Sequence, residues 1–437
     1  MRVFAALLLL LTIPLAARDF SAVDREIESR MQAGGVPGAA VVIVEGDRVV
    51  HARAFGVRNI ESNDPATTAT LFRLGSTTKM FVATAAMRLV DAGKLKLDAP
   101  IGEVLPDLAP ELRALTLEQL LTHQSGLHDD APMQGPLDES ALHARVKSWT
   151  ASAFFTRPGE IFSYANPGYV LAGDVLAAAA GKTFSEAMEE LVLRPADAKS
   201  ATFRPLAAMT HPLAVGHDAG PKVARPFAEH AGNYPPGSLF ASADDLGRLL
   251  IANAPMFERL AVPRAPIPAQ RRHYGYGLVV QDYRGGTLAL HTGARSGYGS
   301  VIFILPRQRV AIGIIANRTG AIFASAAFAA VDLYLEGPEE TDEQPREQPL
   351  AAGDLALAGT YVNSDAIRVT LAAENGALFA KFAGRSLAVK KIGNDRYRVE
   401  PGTQLEGFTI VRDSGGAPRY LASAVWALRK ENSGHGH

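Results

Sequence analysis

The chain has 437 residues, more than one ordinary core accommodates, so two domains, or one large and one small, are expected. Lys plus Arg is 44 and Asp plus Glu is 45, and a net charge of −1 supplies no basic footprint for nucleic acid or an anionic membrane. There is no cysteine, which excludes disulfides, thiolate catalysis, cysteine-built metal sites and an N-terminal lipoprotein anchor.

The chain opens MRVFAALLLLLTIPLAAR. A positive residue, Arg2, precedes an apolar run from Val3 to Leu15 and then Ala16 and Ala17, the shape of a secretory signal peptide over 1–17. The run is shorter than the roughly 20 residues a spanning helix needs. A secreted or periplasmic protein with no integral membrane span after cleavage is the expectation.

Gly38 to Val44 and Val49 to Phe55 flank Glu45-Gly46-Asp47 and read as an antiparallel hairpin. Met80 to Asp91 reads as a helix stopped by Gly93. Leu117 to Leu121 and Tyr169 to Ala180 also read as helices, the second ending at Gly181. Ser242 looks like the N-cap of a helix through Leu250. Strands return at Tyr276 to Gln281, Thr287 to Leu290, Val301 to Leu305 and Val310 to Ala316. Strands from both ends thus enclose a mainly helical middle. Over 18–337 this predicts an α+β domain, an antiparallel sheet flanked by helices with a mainly helical insertion.

Residues 338–349 hold three prolines and five acidic residues and read as a linker. Beyond it, Ile367 to Leu371 alternates, Asn375-Gly376 signals a tight hairpin into Leu378 to Phe382, and strands are expected at Arg396 to Glu400, Phe408 to Arg412 and Arg419 to Leu428. Short strands at this spacing predict a small all-β barrel or sandwich over 350–437, with a short disordered tail carrying His435 and His437. There is no internal repeat.

Leu74-Gly-Ser76-Thr-Thr-Lys79 is the one Ser-x-x-Lys in the chain. Residues three apart share a helix face, and orphan N–H groups at a helix start point at whatever binds Ser76. A serine hydroxyl needs a base, and a desolvated lysine with a lowered pKa can serve. Such a match arises about once by chance at this length, and an N-cap serine with an unrelated lysine is the plain alternative. Further on, Tyr164 and Asn166 sit two apart in a Gly/Pro-rich loop before a helix. A phenol there can relay a proton, and the carboxamide can meet a substrate carbonyl or hold the lysine. His291-Thr292-Gly293-Ala294 follows the strand-like run at 287–290, where Gly293 permits a close backbone approach to an oxyanion. His123, His128, Asp129 and Asp130 lack a metal-ligating spacing, so no metal and no cofactor is expected.

Taken in order, Ser76-x-x-Lys79, Tyr164-x-Asn166 and His291-Thr292-Gly293 resemble the three motifs of the serine β-lactamase and penicillin-binding-protein superfamily. The middle motif is similar to that of the class C β-lactamase, DD-peptidase and family VIII esterase branch. Leu120-Leu-Thr-His-Gln-Ser-Gly-Leu127 and Pro158-Gly-Glu-Ile-Phe-Ser-Tyr164 carry the likeness further, and the segment from Leu357 resembles lipocalin-like barrel extensions of relatives. The resemblance implies Ser76 as nucleophile and Lys79 and Tyr164 sharing acid and base duty. It implies Asn166, His291, Thr292 and Gly293 as substrate-binding residues, with the N–H groups of Ser76 and Ala294 on the oxyanion. The substrates implied are esters, D-amino-acid peptides or β-lactams, small molecules or short peptides that include peptidoglycan fragments. Histidine replaces the lysine of the class C third motif, which argues against efficient β-lactam hydrolysis. Carboxylate anchoring would then fall to Thr292 and, if it turns inward, Arg295. The rival reading is a penicillin-binding sensor or scaffold with the same fold and little or no turnover. Oligomeric state is not readable from the sequence.

Overall fold

The computed structural model describes residues 18–130, 134–220, 222–338, 346–401, 403 and 405–431. The signal-like segment, most of the expected linker and both tail histidines lie outside these residues.

The first hairpin forms as Gly38–Glu45 and Arg48–Asn59. Its inner strand is almost wholly buried, because Ala, Val and Ile side chains leave the sheet on both faces into apolar layers. That strand pairs antiparallel with Val310–Ala316, from the far end of the domain, with Ala39 opposite Ala316. The sheet has nine strands and continues through Tyr298–Leu305, Gly286–Arg295, Val279–Tyr283, Arg272–Tyr274 and Ala265–Ile267. Helices Ser21–Gly34 and Ala324–Val331 cover one face. The mainly helical lobe packs on the other, with the helix Thr78–Asp91 at its centre. Nearly all of that helix is buried, as expected of one that is apolar or small all round.

Several readings of the chain stop short of the structure, and the strand expected over Tyr276 to Gln281 forms as Val279–Tyr283. The helix after Ser242 runs to Leu260, straight through Pro255, its Ser242 cap accepting from the Asp245 N–H at 3.0 Å. The strand expected to end at Leu290 continues to Arg295, so the His291 motif lies on the strand itself. Pairing with Val279–Tyr283 ends at Leu290, while pairing with Tyr298–Leu305 continues to Arg295. Among the described residues, 291–295 therefore keep one edge without a strand neighbour.

After residue 350 a second nine-stranded antiparallel sheet wraps into a nearly closed barrel. Its edge strands, Arg385–Ala388 and Lys390–Gly393, are separated only by Val389. The Asn375-Gly376 hairpin forms with both residues at positive φ, 49° and 77°, the requirement of a tight two-residue turn. The expected strand Arg419 to Leu428 breaks into Pro418–Ser423 and Ala427–Lys430. Ser423 makes the break: its Oγ accepts from the Val425 and Trp426 N–H groups and bends the chain. That turn reaches the catalytic-type motifs of the first domain.

Candidate active site

Ser76 lies in a 3-10 turn, Gly75–Thr77, at the start of the buried helix. Gly75 has φ +56°, and a Cβ there would stand 2.8 Å from the Ala294 nitrogen. A Cβ on Gly293 would stand 2.1 Å from the Leu74 carbonyl oxygen and 3.1 Å from the Ser76 nitrogen. The two glycines let the turn and the free strand edge touch backbone to backbone. This brings the Ser76 and Ala294 main chains close together.

Lys79 is fully buried, and among the described residues its Nζ lies within hydrogen-bond distance of Ser76 Oγ at 3.1 Å, Asn166 Oδ1 at 2.9 Å and the Pro236 carbonyl at 2.9 Å. Burial pushes its pKa well below the ordinary lysine value; Asp129 opposes this and Arg295 adds to it. A neutral amine has two hydrogens and one lone pair. Two of its neighbours, an amide oxygen and a carbonyl, are acceptors only, so they take the two hydrogens. In that neutral form the lone pair would be left facing the Ser76 hydroxyl.

Tyr164 also reaches the Ser76 hydroxyl, and the Lys79 Nζ lies 4.8 Å from its ring centre. A phenolate favoured by a cationic lysine is one expectation from the sequence. The structure points the other way, since burial raises the phenol's pKa and also disfavours the lysine's charge. A neutral pair fits both groups.

The loop from Ser163 to Asn166 precedes the helix Asn166–Ala180, where Pro167 in the first turn needs no N–H partner. Each backbone N–H of the loop is satisfied from outside it. Ser163 donates to the His123 carbonyl at 3.0 Å and Tyr164 to the Val425 carbonyl at 2.8 Å. Ala165 donates to His123 Nδ1 at 3.1 Å, and Asn166 to Asp129 Oδ1 at 2.9 Å. His123 and Asp129 thus act as struts for the loop. No sequence pattern marks Asp129 or the Pro236 carbonyl for these tasks. Pro235-Pro236-Gly237 is a turn signal and says nothing about where a carbonyl points.

His291 is buried. Its Nδ1 lies 2.6 Å from the Thr292 carbonyl and its Nε2 2.9 Å from the Tyr274 hydroxyl. Burial, and then the neighbouring Lys79, lower its pKa to about 3, so the ring is neutral with both nitrogens engaged. Thr292 and Ala294 keep accessible surface beside Ser76. Arg295 does turn inward, but onto Glu229 at 3.2 Å, with 9% of its side chain exposed. Glu229, 1% exposed, also pairs with the buried Arg73. One carboxylate between two guanidiniums leaves this buried cluster net positive.

A nine-stranded antiparallel sheet, a helical lobe packed on it, and a half-buried Ser76 beside the buried Lys79 where they meet are the arrangement of β-lactamase-like serine hydrolases. The chain belongs to the Beta-lactamase family, whose model matches residues 23–335. It is 29% identical to a D-aminopeptidase of Gluconobacter oxydans over 350 residues, covering 75% of this chain and 63% of that one. It is 26% identical to Penicillin-binding protein 4 of Amycolatopsis lactamdurans over 365 residues, covering 75% and 93%. Among solved structures, that of SurE with D-Leu superposes with a TM-score of 0.76 at 25% identity, covering 94% of this chain and 99% of that one. That coverage takes in the C-terminal barrel. Among the described residues no helix is long and apolar enough to cross a membrane.

Proposed function

We propose that this protein is an exported serine hydrolase that forms a covalent acyl-enzyme on Ser76, with D-amino-acid peptides and simple esters as its substrates. The observation that carries the reading is the 3.1 Å contact of the buried Lys79 Nζ with Ser76 Oγ, its other two neighbours being acceptors only. Lys79 takes the Ser76 proton as Oγ bonds to the substrate carbonyl carbon. The Ser76 and Ala294 N–H groups hold the resulting oxyanion. Collapse breaks the bond to the leaving group, which receives its proton through the neutral Tyr164 phenol, itself reprotonated from Lys79. Water then attacks the ester, the acid departs and Ser76 regains its hydrogen. The D-aminopeptidase relative and the SurE complex with D-Leu support a D-configured acyl or leaving group. The neutral His291 supports weak use of carboxylate-bearing β-lactams, because no fixed charge stands at that position.

The test is a fluorophosphonate probe, which should attach to Ser76 and fail to attach in Ser76→Ala with folding intact. A label on another serine ends the mechanism. A panel of short acyl esters, D-aminoacyl amides, D-Ala-D-Ala peptides and a chromogenic cephalosporin then ranks the substrates. Preferential cephalosporin turnover would overturn the substrate assignment. For export, N-terminal sequencing of protein from the medium or periplasm should find a start near Arg18, and retention of Met1 would count against it.

A further inference from the structure

Asp129 stands between the two domains. Its Oδ1 accepts from both the backbone N–H (2.9 Å) and the Nδ2 (3.2 Å) of Asn166, and its Oδ2 accepts from the indole Nε1 of Trp426 at 3.2 Å. Its own N–H donates to Asn363 Oδ1 at 3.0 Å. Asn363 is buried, and its Nδ2 donates to the Ala427 carbonyl at 3.0 Å and to Ser163 Oγ at 3.3 Å. The Ala427 N–H donates to the same Ser163 Oγ at 3.1 Å. Trp426, Asn363, Val425 and Ala427 all belong to the C-terminal barrel, on the Ser423–Trp426 turn or the strand ends beside it.

We propose that the barrel is a working part of the active site: Trp426 and Asn363, acting through Asp129, orient the Asn166 carboxamide and with it the lone pair of Lys79. The inference rests on the Ser76 acyl-enzyme reading and adds the positioning residues that reading lacks. The chain of cause is short. A carboxylate accepts only, so Asp129 forces the Nδ2 side of Asn166 toward itself and the Oδ1 side toward Lys79. Were the amide to flip, Nδ2 would face an amine whose lone pair would turn from Ser76 to accept from it. Trp426 holds the second oxygen, so that Asp129 cannot swing away from Asn166. Because the barrel also ties down Ser163 and the Tyr164 N–H, the loop 163–166 and Asp129 are held by the same part of the barrel.

Nucleophile activation can be read without a known substrate, as the rate at which saturating fluorophosphonate labels Ser76. Trp426→Phe keeps an aromatic side chain, smaller than indole, and removes the donor. It should slow labelling five- to fiftyfold at saturation, with half-saturating probe concentration within twofold of wild type and an unchanged melting profile. Asp129→Asn should slow it at least as much, and the double variant should be no slower than Asp129→Asn alone, because both act on one link. Asn363→Asp gives a second arm if Trp426→Phe folds poorly. It keeps the Oδ1 acceptor, loses the two donations from Nδ2, and should also slow labelling. A further readout is the acid limb of the labelling profile, where Asp129, Arg295, His123, His291, Tyr164 and Tyr169 surround Lys79. Losing the Asp129 charge removes a group that favours protonated Lys79, so the limb should move to lower pH in Asp129→Asn. Wild-type labelling rates in Trp426→Phe and Asn363→Asp, or multiplying effects in the double variant, overturn the proposal. A wild-type protein unlabelled at Ser76 would instead sink the acyl-enzyme reading itself.

Discussion

Tyr274 donates its hydroxyl hydrogen to His291 Nε2 at 2.9 Å. The direction follows from the other ring nitrogen: Nδ1 faces the Thr292 carbonyl, an acceptor only, so Nδ1 carries the hydrogen and Nε2 keeps a lone pair. The histidine of the third motif is therefore a neutral brace between two strands. It does not titrate in the range where its charge could recruit an anionic substrate, contrary to what an ordinary histidine pKa leads one to expect from the sequence.

The first prediction uses the sign of that shift. In the folded protein the ring stays neutral down to about 3, whereas the unfolded ring takes its proton near the ordinary 6.5. Between those values the unfolded state binds more protons, so this contribution is complete above about 6.5 and is lost as pH falls toward 3. His291→Gln keeps an acceptor for Tyr274 and a donor for Thr292 and removes the titration. Its unfolding free energy should fall less steeply than wild type over that window in urea titrations at several pH values. Affinity for anionic substrates between pH 5 and 8 should show the same pH dependence in both proteins. A wild-type affinity gain on acidification that vanishes in the variant would show that the ring does charge.

A second prediction concerns Gly293. An added Cβ would meet the Leu74 carbonyl oxygen at 2.1 Å and Ser300 Oγ at 2.3 Å, and backbone at that distance cannot give way cheaply. Gly293→Ala should push the strand off the Ser76 turn and spoil the oxyanion donors. A loss of about 100- to 1,000-fold in kcat is expected, the scale of removing one such donor. Steady-state kinetics on the best substrate of the panel checks it, and a loss below about threefold would mean the strand edge does not serve the oxyanion.

A third prediction concerns the buried Arg73–Glu229–Arg295 cluster. Glu229→Gln leaves two guanidiniums facing each other with no counter-charge, which should cost about 3–5 kcal/mol of stability. Arg295→Leu leaves Glu229 still paired with Arg73 and should cost clearly less. Chemical denaturation of the two variants gives the order, and equal losses would show that Arg295 carries as much of the cluster as Glu229.

The contrast between what the sequence carried and what it hid follows from locality. Ser76 and Lys79 are one helical turn apart, Tyr164 and Asn166 share a loop, and His291 to Ala294 follow one another. Their chemistry is therefore written in short spacings. The first hairpin and the Asn375-Gly376 turn were legible for the same reason. Asp129, Pro236, Tyr274, Glu229, Asn363 and Trp426 contribute through contacts made by folding, and nothing adjacent to them in the chain marks the partner. In the sequence Asp129 stands out only beside His123, His128 and Asp130, as a metal candidate without ligand spacing. In the structure His123 Nδ1 and the Asp129 carboxylate instead accept hydrogen bonds from the loop 163–166. Strand boundaries are not legible where pairing is one-sided or a side chain caps a turn. Residues 291–295 extend past the last paired residue of one neighbour, and the Ser423–Trp426 turn interrupts what reads as one strand.

The last prediction concerns the segment between the domains. Residues 338–349 are rich in proline and acid, and 346–349 are exposed, so limited proteolysis should cut there first. Composition alone predicts a core that leaves and works by itself. The contacts predict otherwise. Besides the bonds to Asp129, Ser163 and Tyr164, the Tyr420 hydroxyl bonds Thr156, Arg419 pairs with Glu160, and Ile161 packs against Tyr420, Ala422 and Ala427. Each buried hydrogen bond contributes about 0.5–1.5 kcal/mol, and removing one partner leaves the other unsatisfied at a larger cost. A nick in 338–349 breaks none of them. The two fragments should therefore co-elute in size-exclusion chromatography and label at Ser76 at close to the intact rate, and mild urea should separate them with loss of labelling. A core that elutes alone after the nick and labels at full rate would show that the barrel only rests against the site.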